Sequence, residues 1–331
     1  MPRGADPHSY NSDNRSQEKV EIMSKVLNFG SLNIDYVYSM DHIIKPGETE
    51  AARSRGIFPG GKGLNQSVAL SRAGSETWHA GALGQGDNAI LTDVLKDAGV
   101  RLDYLRTHGV PTGHTVIQVD SSGQNSIILF GGANRSLRED EIEETFSHFG
   151  KGDLLVLQNE VNGLERMMRL ASERGMKTAF NVSPFTPDLL DLPLDLCSVL
   201  LVNEIEGGAI ASMDPSSDPD ALIDGIRRRV PECTVVLTLG TRGSVLSIPG
   251  KDLLTCGCCK VKAVDTTGSG DTYTGFLLTM LMQGEKPQRA MHVAAAAAAI
   301  SVTRPGAACS IPSLSEVLSS TLMEKVPEFK G

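Results

Sequence analysis

From Lys25 onward short apolar runs alternate with amphipathic stretches of helical length, and this rhythm constrains the fold more than any other feature. Runs at 26–29, 77–83, 154–157, 178–182, 199–202 and 235–239 are short and apolar enough for strands buried on both faces. Between them Leu64, Val68 and Leu70 keep helical company ahead of Gly74. Ile90, Leu91, Val94, Leu95 and Ala98 do the same ahead of Gly99, and Leu164, Met167, Met168 and Ala171 ahead of Gly175. A further helix is expected over 220–229. Such alternation predicts an α/β fold: a Rossmann-like parallel central sheet with helices on both faces.

Two stretches break the rhythm. Residues 36–57 contain a Pro46-Gly47 turn, and the runs 114–120 and 125–131, joined by Ser121-Ser122-Gly123-Gln124, read as a β-hairpin. They predict a small β lid, with strands from about 36–57 and 112–131, inserted in one domain over residues 25–320. No internal repeat or low-complexity linker divides that domain. Residues 1–24 are polar and mixed in charge, without a signal peptide's apolar centre, and are read as an extension outside the fold.

The bulk numbers exclude several functions. Forty per cent hydrophobic and 21% charged residues describe a soluble globular chain, and a net charge of -9 without a Lys/Arg cluster argues against nucleic acid. The longest wholly apolar run, 293–300, is mostly alanine and far too short for a bilayer. Six cysteines in 331 residues form no disulfide framework and point to a reducing, cytoplasmic setting. Cys256, Cys258 and Cys259 lack a second Cys/His pair at ligand spacing and read as free thiols on a short strand or loop.

The chemistry is concentrated at 265–275, Asp-Thr-Thr-Gly-Ser-Gly-Asp-Thr-Tyr-Thr-Gly. A β-prone run at 261–264 precedes it and an apolar segment, 276–282, follows. A strand, a glycine turn and a buried helix leave backbone N–H groups unpaired at the helix start, where the dipole also favours an anion. Asp271, at the same corner, suits proton abstraction from a hydroxyl; the alternative is helix capping, which leaves Gly268 and Gly270 unexplained. An anion cradle beside a base is what phosphoryl transfer to an alcohol needs.

Other stretches carry two readings each. Gly56-x4-Gly61-Lys62 resembles a P-loop, but Gly63 stands where a hydroxyl should ligate magnesium. Its glycines instead allow close backbone approach, with Lys62 and Asn65 as donors to hydroxyls; a plain tight turn is the alternative. Asn33 and Asp35, placed at the close of the first strand, could grip vicinal hydroxyls or merely end a strand. Glu160 follows the strand at 154–157. Asn203 and Glu206 follow 199–202 and could share waters around magnesium, or form an ordinary helix cap. Residues 237–243, Leu-Thr-Leu-Gly-Thr-Arg-Gly, could lie against a nucleotide or turn a hairpin into 244–248.

Taken together these residues resemble the PfkB family of sugar and nucleoside kinases, and within it most closely the ribokinase group. Its two signatures match Gly60-Gly61-Lys62-Gly63-Leu64-Asn65-Gln66 and the Asp265–Asp271 stretch, with Asn203-x-x-Glu206 and the 238–243 turn between them in the same order. The likeness spans about residues 25–315. It implies a ribokinase-like domain whose β lid often also forms a homodimer interface. Asp271 is implied as general base, and Gly268, Ser269 and Gly270 as the anion hole. Asn33, Asp35, Gly61, Lys62, Asn65 and Glu160 are implied at the sugar. Asn203, Thr238, Gly240, Thr241, Arg242, Gly243 and Gly270 are implied at ATP, with Asn203 and Glu206 supporting magnesium. An activating potassium ion would take Asp265, Thr267, Ser301, Arg304, Gly306 and Ser310. Gly268-Ser269 stands where two alanines are common, Asn159 where an apolar residue is commoner, and Cys309 where proline is usual. The expected reaction is ATP-dependent phosphorylation of a free sugar's primary hydroxyl, D-ribose giving ribose 5-phosphate. Deoxyribose, fructose or a nucleoside is the alternative substrate, and a non-catalytic sensor the alternative class.

Overall fold

The computed structural model describes residues 24–86 and 88–327. The extension expected over 1–24 therefore lies, apart from Ser24, outside the described residues. In chain order the elements are β1 (Val26–Phe29), β2 (Asn33–Ser39), β3 (Ser54–Gly60), α1 (Lys62–Arg72), β4 (Thr77–Gly84), α2 (Ala89–Asp97), β5 (Arg101–His108), β6 (Gly113–Val119), β7 (Asn125–Phe130), α3 (Glu139–Phe146), β8 (Leu154–Gln158), α4 (Leu164–Glu173), β9 (Lys177–Asn181), β10 (Val199–Asn203), α5 (Glu204–Ala211), α6 (Pro219–Arg227), β11 (Thr234–Thr238), β12 (Ser244–Ser247), β13 (Leu254–Cys256), α7 (Ser269–Met282), α8 (Pro287–Ser301) and α9 (Leu314–Ser319).

Nine strands form the main sheet, ordered β13-β12-β11-β10-β9-β8-β1-β4-β5. The pairs from β11 through β10, β9, β8, β1 and β4 to β5 are parallel, while β12 and β13 close one side antiparallel. Period-two alternation sends side chains to two separate cores. Leu27 and Phe29 join Phe146, Phe180 and Leu222 under α3, α4 and α6. Val26 joins Leu64, Val68, Phe276 and Ala294 under α1, α7 and α8. Helices thus cover both faces, as the alternation predicts.

A second sheet, ordered β3-β2-β6-β7, stands where the rhythm of the sequence breaks. Its β2–β3 and β6–β7 pairs are antiparallel and β2–β6 is parallel. Ile57, Phe58, Ile127, Ile128, Leu129 and Phe130 remain exposed on it. Among the described residues no helix is long and apolar enough to cross a membrane.

Three expectations need correction. Asn33 and Asp35 do not close β1; they open β2 in the other sheet. After Phe29 the chain leaves the large sheet, and the Leu32 N–H donates to Asn134 Oδ1 at 2.9 Å rather than to a neighbouring strand. Residues 261–264 form no strand: the N–H groups of Val264 and Asp265 both converge on Val302 O, at 2.7 and 3.2 Å, which anchors an irregular segment to the end of α8. Finally, β5 and α3 were absent from the sequence reading, because charged residues interrupt both apolar patterns. The cysteines agree with it: all six are free, and burial pushes the thiols of Cys256, Cys258 and Cys259 up, Cys256 to about 12. Such thiols stay protonated and are poor metal ligands.

Candidate active site

Asp271 lies in the first turn of α7, whose N-cap is Gly268 at φ 74 with no side chain capping the helix. A left-handed residue there turns the chain into the helix; the Ser269 N–H bonds Thr266 O at 3.3 Å, and the next N–H groups, of Gly270 and Asp271, are left without an intrahelical acceptor. The Asp271 carboxylate is 7% exposed. It accepts one amide N–H on each oxygen, from Asn65 Nδ2 at 3.0 Å and from Gln66 Nε2 at 2.9 Å. Both donors sit on α1, which packs closely on α7 because Gly275 has no side chain. A Cβ there would stand 2.4 Å from Ala69 Cβ.

The cleft over this corner has a volume of about 170 Å3 and is lined by Lys62, Asn203, Glu206, Thr238 and residues 268–271, among others. Burial works against the charge on Lys62, but the carboxylates of Asp271, Glu160 and Glu206 outweigh it and hold the pKa above its ordinary value. The ammonium is thus retained between groups that would otherwise repel an incoming anion. Asn203 and Glu206 exchange bonds in a capping box: Glu206 N–H donates to Asn203 Oδ1 and Asn203 N–H to Glu206 Oε2, each at 3.0 Å. The helix-cap reading of this pair holds, and its side chains also line the cleft.

A second group of side chains faces the first across Lys62. Its backbone N–H donates to Glu160 Oε2 at 3.1 Å, and Ser31 Oγ donates to the same oxygen. Asp35 accepts from Thr115 Oγ1 at 2.6 Å on the neighbouring strand. Burial raises the pKa of Asp35, partly offset by that hydrogen bond. Gly60 on β3, paired with Asn33, leaves room for this carboxylate, since a Cβ there would fall 2.0 Å from Asp35 Oδ2. Asn33, 2% exposed, accepts from Asn134 Nδ2 at 2.8 Å. The backbone bond from Leu32 fixes which end of the Asn134 amide is oxygen, so the NH2 group of Asn33 is left as the free donor.

The structure therefore brings Asp271, Gly268, Ser269, Gly270, Lys62, Asn203, Glu206 and Thr238 to one cleft, with Asn65 bonded to Asp271 and with Asn33, Asp35, Gly61 and Glu160 beside it. Gly240, Thr241 and Arg242 lie exposed at its rim, in a short 3-10 turn leading to Gly243 and β12. There Arg242 bonds Glu204 at 2.7 Å. At the expected potassium loop, Asp265 accepts from Thr267 N and Oγ1 at 2.9 and 2.7 Å and from Gly306 N at 2.9 Å. Burial opposes these bonds, yet together they hold the Asp265 carboxyl below its usual pKa. The hydroxyls of Ser301 and Ser310 donate to Ala298 O and Ala307 O, and the Arg304 guanidinium pairs with Glu316. The Arg304 side chain, a cation, is no ligand, whereas the hydroxyl oxygens of Ser301 and Ser310 keep their lone pairs. Sequence reasoning overlooked Ser31, Thr115 and Asn134, and also Asn181, Ser183 and Thr266, which line the cleft; Gln66 stands as the last residue of the glycine-rich signature without a role there.

An uncapped helix start, a buried carboxylate beside it and a lysine held charged between acids compose the chemistry of a phosphotransferase with an alcohol acceptor. Residues 23–314 match the model described as pfkB family carbohydrate kinase, and the chain belongs to that family. It is similar to the ribokinase of Haemophilus influenzae, 33% identical over 294 residues that cover 87% of this chain and 95% of the relative. Among solved structures it resembles Arabidopsis thaliana ribokinase complexed with ribose and ATP, with a TM-score of 0.80, 28% identity and coverage of 92% and 99% of the two chains. It also resembles Cryptococcus neoformans ribokinase in complex with ADP, with a TM-score of 0.77, 33% identity and coverage of 89% and 99%.

Proposed function

We propose that this enzyme transfers the γ-phosphoryl group of ATP to the primary hydroxyl of a free sugar, D-ribose giving ribose 5-phosphate. The observation that carries the proposal is the Asp271 carboxylate, held by two amide donors at the uncapped start of α7 beside Lys62. Asp271 takes the proton of the attacking hydroxyl, and the backbone donors at Gly268, Ser269 and Gly270 with Lys62 receive the charge gathering on the transferred group. Asn33, Asp35, Asn65 and Glu160 grip the sugar; Asn65 Oδ1 is buried without a partner, a free acceptor for a hydroxyl. An Asn and Asp two apart on β2 suit vicinal hydroxyls, which favours a free sugar over a nucleoside. Ribokinases solved with ribose and ATP or with ADP support the same pair of substrates.

The nucleoside half of ATP lies over the exposed rim at 240–243, where Arg242 bonds Glu204 and the neighbouring Ile205 offers exposed apolar surface. The capping box uses one lone pair of Asn203 Oδ1 and one oxygen of Glu206, and the second lone pair of Oδ1 with Glu206 Oε1 would accept from the waters of a hydrated magnesium ion. Magnesium supplies charge neutralisation for the phosphates. Potassium would take Asp265, Thr267 and the backbone oxygens of the 301–310 loop. The small sheet serves as a lid over the sugar, and its exposed apolar face pairs two copies into a homodimer. The free, protonated thiols fit a reducing cytoplasm.

ADP release over a panel of ribose, deoxyribose, fructose and nucleosides, with and without potassium, tests the assignment. Ribose should give the highest kcat/KM, and Asp271→Asn should lower kcat by at least ~100-fold with little change in ribose binding. Near-normal turnover in that variant would sink the proposal.

A further inference from the structure

Behind Asp271 lies a chain of polar side chains in a core that is otherwise apolar. Asn28, Gln158 and His79 stand on the adjacent strands β1, β8 and β4, and Asn28 lies directly opposite His79 in register. Alternation along each strand turns all three toward the face covered by α1. Asn28, Gln66, Ser67, His79 and Gln158 are each 0% exposed.

The bonds run in one direction. Asn28 Nδ2 donates to Gly63 O and to Ser67 Oγ, both at 2.7 Å, so Asn28 Oδ1 is the end left facing Gln158. Gln158 Nε2 donates to that oxygen at 2.9 Å and to Gln66 Oε1 at 2.8 Å. Gln66 then has only its Nε2 to give, and gives it to Asp271 Oδ1 at 2.9 Å. Each end of the chain dictates the same amide orientations. A backbone carbonyl at Gly63 demands a donor from Asn28, and a carboxylate at Asp271 demands a donor from Gln66. Gln158 can satisfy both neighbours only by presenting Nε2 to each. At the far end Ser67 Oγ meets His79 Nδ1 at 2.8 Å, and burial pushes the His79 pKa down to about 4, so the ring is a neutral partner.

This arrangement is not explained by self-satisfaction. Gln158 Oε1 is buried without a partner, and the chain makes room for it at Gly30, where a Cβ would stand 2.6 Å away. Apolar side chains would fill the same face without that cost. What the polar chain does instead is fix the rotation of the Gln66 amide, and through it the plane of the Asp271 carboxylate.

We propose that Asn28, Gln158 and Gln66 are positioning residues for phosphoryl transfer, a buried amide chain that ties the orientation of Asp271 to the backbone at Gly63. The proposal rests on the reading of Asp271 as general base. Correct aim of a base affects the step in which the proton moves and leaves ground-state sugar binding untouched.

The test is a double-mutant cycle between Gln158→Met, which keeps the length of the side chain and removes its donor, and Asp271→Asn. Gln158→Met alone should lower kcat about tenfold with the sugar KM within about twofold. In the Asp271→Asn background the same change should cost nothing further in residual turnover, because there is no base left to aim. A packing defect would reduce both backgrounds equally, so equal losses overturn the proposal, as does wild-type kcat in Gln158→Met. Near-normal turnover in Asp271→Asn alone overturns the underlying reading instead, and is recognised without touching Gln158. Should Gln158→Met not fold, Gln66→Met carries the same cycle with the same expected outcomes.

Discussion

The two sheets put their apolar residues to opposite use. In the nine-stranded sheet both faces are covered, and Val26, Leu27, Leu155 and Val235 are wholly buried. In the four-stranded sheet Ile57, Phe58, Ile127, Ile128, Leu129 and Phe130 keep between 42% and 62% of their surface exposed. Dense packing on two faces fixes position, and α7, packed on that sheet, carries the proposed base and phosphate site. The exposed sheet has fewer neighbours to hold it, and it carries Asn33 and Asp35. Two of the proposed sugar-binding groups, Asn33 and Asp35, thus stand on the exposed sheet. Asn65, Glu160 and the proposed base stand on or beside elements of the packed one, the division expected where a lid closes over substrate.

Acid should break the rigid side first. His79 is buried as the neutral ring with its pKa near 4, whereas in the unfolded chain it titrates near 6.5. Between those values the unfolded chain binds the extra proton, so stability falls as pH is lowered from about 6.5 to 4, by about 3 kcal/mol in all. Urea unfolding across that range should show the loss, and His79→Gln should flatten it; an unchanged slope in the variant refutes the assignment to this ring.

Gly275→Ala comes next, at about 2 kcal/mol, because the added methyl meets Ala69 across the α1–α7 contact. Since that contact sets Asn65 and Gln66 against Asp271, kcat should fall along with the urea midpoint. Asp35→Asn should cost less than ~1 kcal/mol of stability, because burial already disfavours its charge, while raising the sugar KM about tenfold. A large fall in melting temperature would make Asp35 a structural rather than a sugar-binding residue. Smallest of all, Ile128→Glu on the exposed face should stay within ~0.5 kcal/mol in stability. Its effect should appear in light scattering instead, as loss of the dimer; an unaltered mass would separate this face from assembly.

The sequence made the large sheet legible because its strands are continuous apolar runs, and it made the 265–275 turn legible because two glycines precede an acid. It hid the switch between sheets. From Val26 to Ser39 the chain offers one glycine and no proline, so nothing local announces that β1 ends at Phe29 and β2 begins at Asn33. The switch depends on Asn134, a residue about a hundred positions away, which captures the Leu32 backbone. Edge strand β5 escaped for a different reason: Arg101, Asp103 and Arg106 interrupt its alternation, as suits a strand at a sheet border. The roles of Gln158 and Asn28 were invisible because strand pairing and helix packing, not spacing, bring them into line.

The hydrogen bonds that aim Asp271 join residues 205 and 206 positions apart. At ~5–20 residues per second a ribosome takes about 10 to 40 s to travel from the donors on α1 to their acceptor on α7. By the later part of that interval the nascent chain has its proposed sugar-gripping residues and no means of reaction, and throughout it the apolar face of α1 lacks the helix that will cover it. The covering surface and the catalytic group arrive on the same helix, so no partly synthesised chain can be active before α1 has acquired its neighbour.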